Sequence, residues 1–241
     1  MSLLQVSKIT NRLTLTQKKF VAEIIGTFVV VVAASGSVVI DAKYGGIFGL
    51  PFIAFAPFVG VAIGVYLFGK ISMAHFNPAV TIGYLITGHI ARKEVINYLG
   101  AEIIGAFLAS LFVKLAIGNY VNLGANAPNY DFSAWIMLFI EITASALLMV
   151  VILAVVYTKG LKGFSGIAIG GIVGLDIFFL AFISGASMNP ARSLAPAVLS
   201  GAVGDLWIYC TAPFIGTSLV ALLLSRKFHL PIKNLHTKNH Y

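Results

Sequence analysis

His75-Phe-Asn-Pro-Ala-Val-Thr81 and Ser187-Met-Asn-Pro-Ala-Arg-Ser193 are two versions of one seven-residue pattern, set 112 residues apart in a chain of 241. Asn is a favoured helix N-cap and Pro a favoured first helical residue, so each Asn-Pro step reads as the start of a helix. The apolar stretches they open, about 77–87 and 189–199, are short. At ~1.5 Å per residue, a helix of about eleven residues covers only ~16 Å, half of the ~30 Å hydrocarbon layer of a membrane.

Six longer apolar stretches surround these two, at roughly 20–40, 51–69, 94–117, 134–157, 164–184 and 206–228. Each is long enough to cross a bilayer as a helix. Composition agrees: 59% of residues are hydrophobic, only 10% are charged, and the mean hydropathy is +0.97. So few charges cannot cover a soluble globule, and so apolar a chain cannot stay solvated as a coil. The net charge of +8 is spread between apolar runs rather than gathered on one polar face, which argues against nucleic acid as a partner. Cys210 is the only cysteine, no histidine pair has metal spacing, and no catalytic set or nucleotide-binding loop is found, so no cofactor, no metal and no enzymatic activity are expected.

Self-similarity extends beyond the Asn-Pro-Ala boxes. Phe20-Val-Ala-Glu-Ile-Ile-Gly26 resembles Phe139-Ile-Glu-Ile-Thr-Ala-Ser145 once Glu23 and Glu141 are registered, and Tyr98-x-x-Ala-x-x-Ile-Gly105 resembles Tyr209-x-x-Ala-x-x-Ile-Gly216. Each half, about 20–117 and 134–228, thus holds three spans and one short helix. Three is odd, so the halves enter the membrane from opposite sides, and such inverted repeats place a shared site near the midplane. The tails at 1–19 and 229–241 are polar, and no removable signal peptide is read at the N-terminus. Thirteen of the sixteen Lys and Arg fall on one side if both termini are cytosolic, leaving Lys43, Lys114 and Arg192 toward the other. The positive-inside rule then places both termini in the cytosol of a multi-pass cell-membrane protein.

If each short helix enters from its own face, Asn77 and Asn189 meet in mid-membrane. Each N-terminus carries roughly +0.5 charge from its unpaired N–H groups, so two facing ends repel cations. An Asn side chain caps its own helix through its oxygen and turns its amide N–H toward the lumen, where it orients a passing water. Arg192, three residues after Asn189, places a guanidinium at membrane depth, where charge is costly and marks function by default; the alternative is an arginine paired to an acid. Glu23, Glu102, Glu141 and Asp176 also lie in spans. They read either as anchors for backbone N–H groups or as the proton relay of a coupled secondary transporter.

Through Asn77-Pro78-Ala79 and Asn189-Pro190-Ala191, with Ala22-Glu-Ile-Ile-Gly-Thr27, Ile71-Ser-Met-Ala-His75 and Arg192-Ser193, the chain resembles the major intrinsic protein family of aquaporins and aquaglyceroporins, from about Phe20 to Phe228. The resemblance implies an all-α membrane fold of six transmembrane helices plus two half-helices, one pore per subunit and a homotetramer. It implies a passive channel that excludes ions and protons, with water and small neutral solutes as permeants. Glu23 and Glu141 match the family's paired glutamates that brace the half-helix loops, and His75 would line the inner vestibule. The family's constriction surrounds the arginine matched by Arg192; its partners here would be Ile177, Ala186 and, where an aromatic is usual, Pro57 or its neighbour Phe58. Ile177 stands where water-selective members carry histidine, as in archaeal-type aquaporins, which favours a wider constriction. Ser193, Ala197 and Tyr209 follow the water-channel pattern. A glycerol or ammonia facilitator is the alternative. Gly100, Gly105, Gly166, Gly170, Gly171 and Gly174 read as close helix contacts.

Overall fold

The computed structural model of the chain describes residues 13–228, all helices and connectors with no strand among them. The helices are α1 (Leu15–Lys43), α2 (Gly49–Ser72), α3 (Pro78–Ile86), α4 (Arg92–Ala116), α5 (Ala134–Tyr157), α6 (Ser165–Ser184), α7 (Pro190–Ser200) and α8 (Leu206–Phe228). A 3₁₀ segment, Lys159–Phe164, joins α5 to α6, and a left-handed turn at Asn122 and Leu123 follows α4. The six long helices are each long and apolar enough to cross a membrane. Of the tails expected at 1–19 and 229–241, residues 1–12 and 229–241 lie outside the described residues.

The first helix begins at Leu15, earlier than its apolar stretch. Thr14 accepts from the Gln17 backbone N–H and Gln17 returns a bond to the Thr14 N–H, a reciprocal cap that carries the helix past the apolar boundary. Lys18 and Lys19 are therefore helical, and Lys19 Nζ reaches Glu94 Oε1 at 2.7 Å.

The packing repeats as the sequence does. In one half α1 packs on α2 and α4; in the other α5 packs on α6 and α8. The halves join where α2 lies on α6, and each half-helix crosses over, α3 onto α8 and α7 onto α4. Phe55, Leu67, Ile96, Leu115, Phe139, Phe179 and Leu223 are each at least 60% exposed, whereas Glu23, Glu102 and Glu141 are wholly buried. Apolar outside and polar inside is the pattern of a bundle in lipid, where interior polar groups find partners within the protein.

Glycines set the closest approaches. A Cβ on Gly105 would lie 2.5 Å from the Ile24 carbonyl oxygen, and one on Gly216 would lie 2.2 Å from that of Ile142. These are repeat mates, each pressed against the residue after a repeat glutamate. Gly166, Gly170 and Gly174 likewise meet α2. Gly100 and Gly171 do not serve as contacts: a Cβ on either meets nothing within 4 Å, because each faces away from its neighbours.

Gly105→Ala and Gly216→Ala each force a backbone shift, an overpacking cost of about 1–3 kcal/mol. Both are expected to lower the unfolding temperature in detergent, read by intrinsic fluorescence, while Gly100→Ala and Gly171→Ala leave it unchanged.

Candidate functional site

Between α2 and the first Asn-Pro step the backbone takes left-handed φ at Met73 (68°), Ala74 (53°) and Phe76 (53°); before the second it does so at Gly185 (86°), Ala186 (44°) and Met188 (55°). For residues other than glycine each such angle costs about 1–3 kcal/mol and persists only where its surroundings enforce it. Here they are enforced by a carboxylate in each half. Alternating right- and left-handed residues aim successive N–H groups into one concavity, an anion nest. Glu23 Oε1 accepts from the His75 N–H at 3.0 Å and Oε2 from the Phe76 N–H at 2.7 Å. Glu141 does the same in the other half, with Ser187 N–H at 2.9 Å and Met188 N–H at 3.0 Å. Bonds to a charged acceptor contribute about 1.5–3 kcal/mol each, enough for a pair to offset the strain of its loop.

A second tier fastens the same loops. Ser72 Oγ accepts from the Ala74 N–H and Ser184 Oγ from the Ala186 N–H, both at 3.2 Å. The Tyr98 hydroxyl donates to the Ser72 carbonyl at 2.8 Å and the Tyr209 hydroxyl to that of Ser184 at 2.5 Å. Ser72 and Ser184 were not singled out in the sequence, yet they extend the Asn-Pro-Ala boxes at the same 112-residue offset.

The two half-helices then meet. Asn77 caps α3 by accepting from the Ala79 N–H at 2.9 Å, and Asn189 caps α7 by accepting from the Ala191 and Arg192 N–H groups. Their amides do more than face a lumen. Asn77 Nδ2 donates to the Met188 carbonyl and Asn189 Nδ2 to the Phe76 carbonyl, both at 2.9 Å, so each cap ties the opposite loop. One N–H of each amide is left for another partner. The half-helices hold nine and eleven residues, so end to end they measure ~30 Å, one hydrocarbon thickness.

A cavity runs along this junction, about 660 Å³ of atom-free space, part of it open to solvent. Asn77, Asn189, His75, Ser187 and Arg192 give it polar points; Val30, Val61, Val65, Val80, Leu148, Ile152, Ile169 and Val173 give it an apolar wall. Ile177, Ala186 and Pro57 also line it. Phe58 is not among the lining residues. One residue further along a helix turns about 100°, and Phe58 packs instead against Gly170 and Gly174 of α6. None of the lining residues is acidic. Asp176 is buried beside Ile177, and among the described residues its Oδ2 has no partner and it forms no ion pair.

Arg192 is 8% exposed, and among the described residues no carboxylate lies within 4 Å of it. The reading of an arginine paired to an acid is therefore not what the fold builds. Its Nη1 donates instead to Asn126 Oδ1, in the connector before α5. The same oxygen accepts from Ser193 Oγ at 2.8 Å, and Asn126 Nδ2 donates to the Gly185 carbonyl at 3.0 Å. Nearby, the Asn129 N–H donates to the Ile183 carbonyl at 3.0 Å and its side-chain amide to that of Phe182 at 3.2 Å. An irregular connector thus holds the guanidinium, through a neutral amide rather than a carboxylate. Nothing periodic in 118–133 marks Asn126 in advance.

The sequence pattern described as "Major intrinsic protein" matches residues 10–224. Aquaporin NIP3-1 of Arabidopsis thaliana is 38% identical over 209 residues, covering 83% of this chain and 64% of its own length. The chain thus spans under two thirds of that relative. Probable aquaporin NIP4-2 of the same plant is 39% identical over 203 residues, 84% of this chain and 71% of the relative. Nodulin-26 of Glycine max is 37% identical over 202 residues, 83% and 73% respectively. Among solved structures, the aquaglyceroporin from Plasmodium falciparum superposes with a TM-score of 0.74 at 22% identity, covering 88% of this chain and 96% of that one, a likeness of fold.

Asn126→Ala removes the acceptor shared by the Arg192 and Ser193 side chains, a loss of about 1–3 kcal/mol. It is expected to lower the unfolding temperature in detergent. Ser193→Ala added to it should cost less than Ser193→Ala alone, because the bond from Ser193 to Asn126 is then already lost; strictly additive losses would contradict that bond.

Proposed function

This chain belongs to the major intrinsic protein family, and from that premise we propose that it is a passive membrane channel for water and small neutral solutes that turns back ions and protons. The observation that carries the reading is the crossed asparagine pair, Asn77 to the Met188 carbonyl and Asn189 to the Phe76 carbonyl. It supports a junction in which two helix N-termini share one point of the cavity wall. A cation about 5 Å from both +0.5 ends loses roughly 3 kcal/mol at an effective dielectric near 20, a few hundredfold in occupancy, before Arg192 adds a full charge. Water is not charged and meets no such barrier. Held by the free amide N–H of Asn77 or Asn189, it accepts through its oxygen and turns its hydrogens away along the pore, so its neighbours cannot relay a proton through it.

Pro78, Ala79, Pro190 and Ala191 start the half-helices that hold these asparagines, while Glu23 and Glu141 brace their loops. Arg192, Ile177, Ala186 and Pro57 form the constriction; His75 lines the vestibule on the other side of the asparagine junction. Three of the four constriction residues are apolar and none is aromatic, which favours passage of molecules with a carbon face as well as water. Pro57 rather than Phe58 on the cavity wall is the observation behind the second reading, a glycerol-type facilitator. Coupled transport is disfavoured, because the oxygens of Glu23 and Glu141 are committed to backbone N–H groups and no acid lines the cavity. The channel is assigned to the cell membrane as a homotetramer, both termini cytosolic.

Stopped-flow light scattering of vesicles carrying the purified protein tests this. Water flux is expected at several times that of empty vesicles, glycerol flux also above them, and neither driven by a pH gradient or voltage. Arg192→Val combined with Ile177→Ala is expected to admit larger solutes and raise proton leak. Shrinkage no faster than that of empty vesicles, or saturable flux that follows a pH gradient, would overturn the proposal.

A further inference from the structure

The repeat that matches His75 with Ser187 and Thr81 with Ser193 differs in one polar partner. In the second half the Ser193 hydroxyl donates to an amide oxygen, that of Asn126; in the first the Thr81 hydroxyl donates to a carboxylate, Glu102 Oε1, at 2.6 Å. Glu102 is wholly buried in α4 and its Oε2 finds no protein partner. It does not line the cavity. On the other side of Thr81 stands His75, with Nδ1 at 2.7 Å from the same hydroxyl oxygen. Its ring is held beside those of Tyr84 and Tyr98, centroids 4.6 and 4.3 Å away, and Glu23 takes its backbone N–H. His75 is among the residues that line the cavity, and its Nε2 is buried with no partner within the protein.

A threonine hydroxyl has a single proton. Once that proton is donated to Glu102, Thr81 Oγ1 offers His75 only lone pairs, so the hydrogen of the His75–Thr81 contact must sit on Nδ1. We propose that Glu102 is a positioning residue: acting through Thr81, it holds His75 as the Nδ1–H tautomer and leaves Nε2 as a hydrogen-bond acceptor for the permeant. The inference rests on the channel reading above. Asn77, Asn189 and Arg192 present N–H donors, which bind a water or alcohol through its oxygen. An acceptor at Nε2 takes the hydroxyl hydrogen that those donors leave unbound. Without Glu102 the Thr81 proton is free to turn toward Nδ1, and Nε2 becomes one more donor.

Nitrogen-15 NMR of histidine-labelled protein in lipid vesicles reads the tautomer directly, with the His75 signals identified by their loss in His75→Gln. The expected native state has its proton on Nδ1 and none on Nε2. Glu102→Ala is expected to shift His75 to the Nε2–H form and lower water permeability several-fold; Glu102→Gln, whose amide oxygen still accepts from Thr81, keeps both near native. Should Glu102→Ala fail to fold, Thr81→Val removes the same relay and is expected to abolish the Nδ1–H preference. A native ring protonated on Nε2, or a tautomer indifferent to both Glu102→Ala and Thr81→Val, overturns the proposal. The tautomer is read without any flux, so native protein that shows Nδ1–H yet conducts no water would refute the channel reading and leave this assignment intact.

Discussion

Backbone polar groups at membrane depth must be satisfied inside the protein, and a helix that starts halfway through the hydrocarbon violates that requirement at its N-terminus. This chain does so twice. The structure follows from how the exposed N–H groups are taken: two by a buried carboxylate in each loop, the first of each half-helix by an asparagine oxygen, and the opposite carbonyls by the asparagine amides. Remove the carboxylates and the left-handed residues before each Asn-Pro step lose what holds them; the asparagines then have no fixed carbonyl to reach. The junction is stable because strain and bond energy, a few kcal/mol each per loop, are of the same size and opposite sign.

The inverted repeat supplies the scaffold, and its departures supply the chemistry. Ser72 and Ser184, Tyr98 and Tyr209, Gly105 and Gly216, and Glu23 and Glu141 are mates that do matching jobs. Val80 and Arg192 are mates too, both on the cavity wall, yet one is apolar and one charged. A charge on one side of the asparagine junction alone gives the conduit a polarity that the fold itself lacks. Glu102 facing Thr81, where Asn126 faces Ser193, is the corresponding departure on the other side.

Much of this was legible in the sequence because it depends on period and offset. The six crossing helices, the two half-length ones and the registered glutamates were all readable, and the helices formed within a few residues of their apolar stretches. The early start of α1 was also encoded, in Thr14 and Gln17, but a boundary drawn by hydropathy ignores a polar cap. What escaped depends on the third dimension. Whether Pro57 or Phe58 reaches the cavity turns on about 100° of helix rotation. Gly100 and Gly171 differ from Gly105 and Gly170 only in which way they face. Asn126 sits in a connector without periodicity, where only the fold brings it to Arg192.

The central claim is that neutral molecules pass this junction while positive charge does not. The most direct measurement is simultaneous: osmotic water flux by light scattering and proton entry by an enclosed pH-sensitive dye, in the same vesicles across a range of protein densities. Water permeability is predicted to rise in proportion to protein density while proton entry stays at the level of bare lipid. Proton entry rising in step with water would contradict the account.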